Sequence, residues 1–158
     1  MRFRVALGVL ALLAFPSLGS AQTTNFSPLA GAWERFSARD ETGKMVSPQP
    51  PAAFLIMTAD GFFSQTAIPT GRPKSTKPLR DMTKEELLAR FNNVVGRHGT
   101  YSVSGNRLTR HDLSNTNPNN EGMSQVQLFK IEGDVLILSN PDTTKKDEVR
   151  FRRVKKST

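Results

Sequence analysis

The chain has 158 residues, a formal net charge of +8, no cysteine and two histidines. No disulfide framework, thiolate metal site or cysteine nucleophile can be built from it, and a three-histidine zinc centre is excluded. Any catalytic chemistry resting on imidazole would have to use His98 or His111.

The N-terminus, "MRFRVALGVLALLAFPSLGSAQ", carries Arg2 and Arg4, then an apolar run from Val5 to Phe15, then small residues up to Ala21. That order predicts a secretory signal peptide over 1–21, since the run is too short to span a bilayer and no stop-transfer segment follows. The protein is therefore expected to be secreted or periplasmic. Cleavage after Ala21 would leave 137 residues, enough for one domain, with 20 basic against 14 acidic side chains and a net charge of +6. The basic residues cluster in "RPKSTKPLR" (72–80) and "RFRRVKK" (150–156). No nucleic-acid motif accompanies them, so they are read as solvated loop and strand faces, with a weak attraction to anionic membrane surfaces or to an anionic ligand as the remaining option.

Residues 22–28 read as a flexible polar leader. "GAWERFSAR" (31–39) reads as a first strand ended by "DETGK", and "PQPP" (48–51) interrupts any regular element. "AFLIMTADGFFSQTAI" (53–68) reads as a hairpin around Asp60-Gly61, taken as a two-residue turn that places Phe54, Ile56 and Phe63 on one face and Leu55, Met57 and Phe62 on the other. In "MTKEELLARFNNVVGR" (82–97), Thr83 and Glu86 form a capping box. Leu87, Leu88, Phe91, Val94 and Val95 share a helical face, and Gly96 is the expected stop.

The rest reads as strands. "GTYSVSGNRLTRHDL" (99–113) turns at Gly105-Asn106, "SQVQLFKIEGDVLILSN" (124–140) turns at Gly133-Asp134, and "DEVRFRRVK" (147–155) is a last strand. Hairpins in series with one inserted helix predict an antiparallel up-and-down meander that closes into a barrel to remove its edges.

The order of "GAW", "TADGFF", the helix, "GTYSVSG", a histidine, "EG", "LFKIEGDVLIL" and "FRR" resembles the bacterial lipocalin-like domain family over roughly residues 29–154. The resemblance implies a mainly β, calycin-type barrel (domain 29–156) with one inserted helix and a cavity for a small, mostly apolar molecule. It further implies that Trp33, near the closed end, packs against an arginine of the last strand, by position Arg153.

Turn register decides which side chains look inward. A two-residue turn at Gly105-Asn106 pairs Tyr101 with Arg110 and Thr100 with His111, so Tyr101, Val103, Leu108 and Arg110 face in and His111 faces out. The turn at Gly133-Asp134 pairs Ile131 with Leu136 and Phe129 with Leu138, and that inner face continues to Gln127 and Gln125. The outer face of the same hairpin carries Ile137 and Val126, which suggests cover by the helix. The candidate ligand-binding residues are therefore Arg110, Tyr101, Gln127 and Gln125, polar groups set in an apolar wall. Arg110 is the group suited to a carboxylate or phosphate.

The expected function is binding of a small hydrophobic or amphipathic ligand, with an acidic head group on Arg110, by an exported monomer without cofactor or metal. Two alternatives stand beside it. One is a cofactor-independent isomerase or cyclase using Tyr101 and Arg110, with Asp112 also placed inward by strand parity. The other is a structural protein of the cell envelope whose barrel is filled by its own side chains.

Overall fold

The computed structural model describes residues 28–46 and 53–155; the expected signal peptide, the leader up to residue 27 and the "PQPP" break lie outside them. Eight strands run in chain order: β1 Gly31–Arg39, β2 Ala53–Met57, β3 Phe62–Ala67, β4 Val95–Ser104, β5 Arg107–Asn115, β6 Ser124–Glu132, β7 Val135–Ser139 and β8 Glu148–Arg153. Each is antiparallel to the next, and β8 pairs with β1, so the sheet is a closed barrel with no free edge. The helix α1, Lys84–Phe91, lies in the connection between β3 and β4.

The two barrel ends differ because their connections differ. One end is made by tight turns at 59–61, 105–106 and 133–134, and the longer connections 68–94, 116–123 and 140–147 lie at the other. Gly105 and Gly133 each take positive φ, 58° and 57°, at the first position of their two-residue turns. The registers expected from them hold: Tyr101 pairs with Arg110, Thr100 with His111, Ile131 with Leu136 and Phe129 with Leu138.

At the tight-turn end the interior is apolar, with Leu29, Trp33, Leu55, Met57, Phe63, Tyr101, Leu108, Leu136, Leu138 and Phe151 forming one cluster. Trp33 Nε1 donates to the Leu29 carbonyl at 2.9 Å. The Arg153 guanidinium carbon sits 4.0 Å from the Trp33 ring centroid, and its nitrogens donate to the carbonyls of Ala30 (2.7 Å) and Pro28 (3.0 Å). The cation thus covers the indole while its fork ties the incoming chain to the last strand.

Three expectations need correction. The β2–β3 hairpin closes one residue later than a two-residue turn allows, with Met57 opposite Phe63 and Leu55 opposite Gln65. Gly61, at φ 91°, follows a turn in which its amide donates to the Thr58 carbonyl, and the Thr58 hydroxyl bridges back to Phe62. This is a three-residue loop with glycine in the left-handed position. A one-residue slip inverts the faces. Leu55, Met57 and Phe63 point inward, and Phe54, Ile56 and Phe62 are exposed.

The helix is also shorter than its apolar pattern. The capping box of Thr83 and Glu86 is formed, but the helix stops at Phe91, with Asn93 in the left-handed conformation (φ 60°). Asparagine takes the role expected of Gly96, which instead lies in β4 with Val95. Finally, α1 buries none of its residues and leaves Leu88 and Phe91 exposed, so it does not cover the β6–β7 face. Ile137 is buried there, with Lys130 and Arg150 as its register partners on the two neighbouring strands.

Candidate functional site

Strand alternation carries the interior from apolar to polar toward the long-loop end. Two residues beyond Leu108 on β5 stand Arg110 and then Asp112, each only 3% exposed. Two residues beyond Phe63 on β3 stands Gln65, and on β6 Gln127 and Gln125 precede Phe129 on the inward face. Going the other way from Tyr101 on β4, Gly99 and Arg97 come inward. Trp33 on β1 is followed by Arg35.

These side chains meet. Arg110 Nη1 donates to Gln65 Oε1 at 2.6 Å, and its Nη2 donates to Gln125 Oε1 at 3.0 Å and to Gln127 Oε1. Arg97 donates from Nε (3.0 Å) and Nη2 (2.7 Å) to Asp112 Oδ1, and from Nη1 to Gln125 Oε1 at 2.9 Å. Asn115 donates to Asp112 Oδ2 at 2.7 Å. Both guanidinium carbons lie 5.5 Å from the Phe63 ring centroid, so the ring attracts the two cations it lies beside. Arg110 Nε is buried with no hydrogen-bond partner among the described residues.

A cavity of about 170 Å³ opens among Arg35, Gln65, Arg97, Arg110, Gln125 and Gln127, with Leu138, Val149 and Phe151 as its apolar wall. A hollow of about 310 Å³ adjoins it at the barrel mouth, sharing Arg97 and Gln125 and adding Asp112, Asn120, Met123 and Ser124. A larger hollow, about 530 Å³, lies away from the barrel interior, between the loop after β3 and Arg90 of α1. Apart from Arg90 its charged walls, Arg72 and Lys74, are exposed loop residues, so it has none of the interior's fixed geometry.

Burial pushes the Arg110 guanidinium down to about 9; the charge on Arg97 adds to the fall and Asp112 opposes it. Burial also lowers the Arg35 pKa. The site is thus a place where positive charge is held against its solvation preference, which favours an anion beside it. No group of His, Asp or Glu among the described residues is placed to hold a metal ion.

Of the four expected ligand-binding residues, Arg110, Gln125 and Gln127 come together and line the cavity. Tyr101 does not join them. It is buried in the apolar cluster, and its hydroxyl donates to the Thr58 carbonyl at 2.6 Å. Burial, with a smaller contribution from Asp60, pushes that phenol up to about 12. A group so placed is a poor acid for a reaction in the cavity.

His111 points outward with Nδ1 3.2 Å from Ser124 Oγ, and the bulge in this strand pair falls beyond it, between His98 and Gly99. Arg35, Gln65 and Arg97 were not expected in the site. The signal for each was two-residue alternation from an inward aromatic: Trp33, Phe63 and Tyr101 respectively.

A family model described as a lipocalin-like domain matches residues 30–154. No curated protein sequence matches the chain. Among solved structures, the chain is similar to a lipocalin-like protein from Bacteroides uniformis, with 15% identity and a TM-score of 0.50 over 80% of this chain and 98% of that one. It is also similar to an uncharacterized protein from Bacteroides eggerthii, with 11% identity and a TM-score of 0.48 over 79% of this chain and 98% of that one. At such identity the first likeness concerns the fold alone.

Proposed function

The chain belongs to the lipocalin-like domain family, and on that premise we propose that it is a binding protein whose barrel takes a small amphipathic molecule with an acidic group. The observation that carries this reading is Arg110. It is 3% exposed, and its Nε has no partner among the described residues. It lines a cavity opposite Leu138, Val149 and Phe151. An apolar wall facing a few fixed polar groups is the usual anatomy of a small-molecule pocket. A buried cation without a full set of partners gains most from an anion that enters with it.

The size of the cavity favours a compact ligand, with its apolar body on the Phe151 side and its acid toward Arg110. The 310 Å³ hollow at the mouth is the natural route in, since it shares two lining residues with the interior. The reading also includes export. The charged start, apolar run and small residues before Gln22 support cleavage of a signal peptide. The N-terminal residue of protein recovered from the cell envelope or medium tests that part.

Calorimetric titration with benzoate and with benzamide, which is neutral and of similar shape, tests the binding. Benzoate should bind and benzamide should not. Arg110→Met should weaken benzoate about a hundredfold, the scale for removing one member of a buried charge pair. Equal binding of the two probes, or an unaffected Arg110→Met variant, would remove the arginine from the function.

A further inference from the structure

The hydrogen-bond directions inside the barrel narrow the chemistry of the acidic group. Arginine can only donate, so each glutamine that meets it must turn its carbonyl oxygen toward it. Gln65, Gln125 and Gln127 all do so, and Gln125 Oε1 accepts from Arg97 as well. An amide's NH₂ points away from its oxygen. The same contacts that tie the three oxygens to arginine therefore leave three NH₂ groups for whatever else shares the cavity.

Both oxygens of the one acidic side chain of the site are likewise engaged. Asp112 Oδ1 takes two donors from Arg97, and Oδ2 takes the amide of Asn115. Arg110 Nε adds one more donor. The polar part of the wall therefore offers donors, while each oxygen of the three glutamines and of Asp112 already accepts at least one hydrogen bond. These donors do not lie in one plane. Gln65 comes from β3, and Gln125 and Gln127 come from β6, which lies on the far side of β5 from it.

From this we propose that the acidic ligand carries a tetrahedral oxyanion, a phosphate, phosphonate or sulfonate group, rather than a carboxylate. The inference rests on the reading that the barrel binds a small acid. A carboxylate offers two oxygens in one plane. A tetrahedral group offers three, directed around an axis, and these can meet donors arriving from opposite strands. Its fourth substituent points away from the donors, toward Leu138, Val149 and Phe151. A ligand with hydroxyl or amine groups as its only polar parts gains less, because each brings donors of its own into a wall of donors.

Calorimetry on the full-length folded protein with benzenesulfonate, phenylphosphonate and benzoate separates the possibilities. The first and last carry the same ring and the same single charge, and differ in oxygen number and geometry. Both tetrahedral probes should bind about tenfold tighter than benzoate, the worth of one additional charge-assisted hydrogen bond. Gln127→Met removes an NH₂ donor without adding a charge, and Gln125 remains as an acceptor for the same Arg110 nitrogen. The substitution should abolish the preference for the tetrahedral probes while the melting transition stays cooperative. Benzoate binding as tightly as either tetrahedral probe would overturn the proposal while leaving acid binding intact. Binding of none of the three anions would instead overturn the reading on which it rests.

Discussion

Arg97 grips one oxygen of Asp112 with two nitrogens, Nε at 3.0 Å and Nη2 at 2.7 Å, at the rim where the interior cavity meets the mouth. The side chains are 14% and 4% exposed, so the pair is well removed from water. Removing one member of such a pair leaves the other's charge poorly compensated. Asp112→Asn is expected to cost about 3 kcal/mol of folding stability by chemical denaturation. The same change leaves Arg97 without its counter-charge beside the cavity, so benzenesulfonate should bind about threefold or more tighter, since a like charge that competes for Arg97 has been removed from the rim. Weaker binding by this variant would show that Asp112 serves the site by positioning Arg97 and not by competing with the ligand.

The Trp33–Arg153 contact should behave as one unit with Gly31. Gly31 has φ +135°, and a Cβ there would sit 2.6 Å from Arg153 Nη1. Gly31→Ala must strain the backbone and displace the guanidinium, with an expected cost of about 2–4 kcal/mol. Arg153→Lys keeps a charge but loses the fork that reaches Ala30 and Pro28, at about 1–2 kcal/mol. The double variant Gly31→Ala/Arg153→Met should cost less than the sum of its single changes, because the displaced atom is gone. Additive melting shifts would argue against the coupling.

Gly99 is required for a different reason. A Cβ on it would fall 1.9 Å from the His111 carbonyl oxygen and 2.9 Å from the Leu113 amide nitrogen. Both atoms are backbone at the β4–β5 bulge, so no side chain can yield. Gly99→Ala is expected to cost more than about 4 kcal/mol or to prevent cooperative folding. Gly96→Ala, whose Cβ would meet only the Thr116 methyl at 3.3 Å, should cost less than about 1 kcal/mol. A Gly99→Ala protein with the parental melting temperature would mean that the strands do not approach so closely.

How much of this was legible depends on the turns. Gly105-Asn106 and Gly133-Asp134 sit in two-residue loops, so counting outward from them puts Arg110, Gln125 and Gln127 inside and His111 outside. The same counting failed at Asp60-Gly61. There glycine occupies the bulge position of a three-residue loop, and dipeptide identity does not distinguish the two geometries. That slip hid Gln65. Arg97 was hidden because the apolar spacing of Leu87, Leu88, Phe91, Val94 and Val95 reads as one helix, although Asn93 breaks it and Val95 already belongs to β4. Tyr101 was rightly placed inside but wrongly assigned to the cavity. Strand parity gives the side of the sheet but not the height along the barrel, and its hydroxyl is held by Thr58 at the tight-turn end.

The state of Arg110 makes anion binding pH-dependent in a direction that can be worked out. Burial, reinforced by Arg97 and opposed by Asp112, brings this guanidinium down from its ordinary strongly basic range to about 9. Below that value it carries its charge, and above it the charge is lost. Benzenesulfonate keeps its own charge throughout, so its affinity should be level near neutrality and fall as the pH rises through about 9. Loss of binding should not accompany unfolding. Because the folded chain holds this proton more weakly than the unfolded chain does, deprotonation of Arg110 favours the fold as the pH rises above about 9. Tyr101, pushed up to about 12, stays protonated up to about pH 10 and contributes no competing step over the titrated range. Titrations at intervals from pH 7 to about 10 should show the fall in the parent protein and a flat, weak profile in Arg110→Met. A parent profile as flat as that of the variant would mean that Arg110 keeps its charge throughout or does not touch the anion, and its response to Asp112→Asn separates the two.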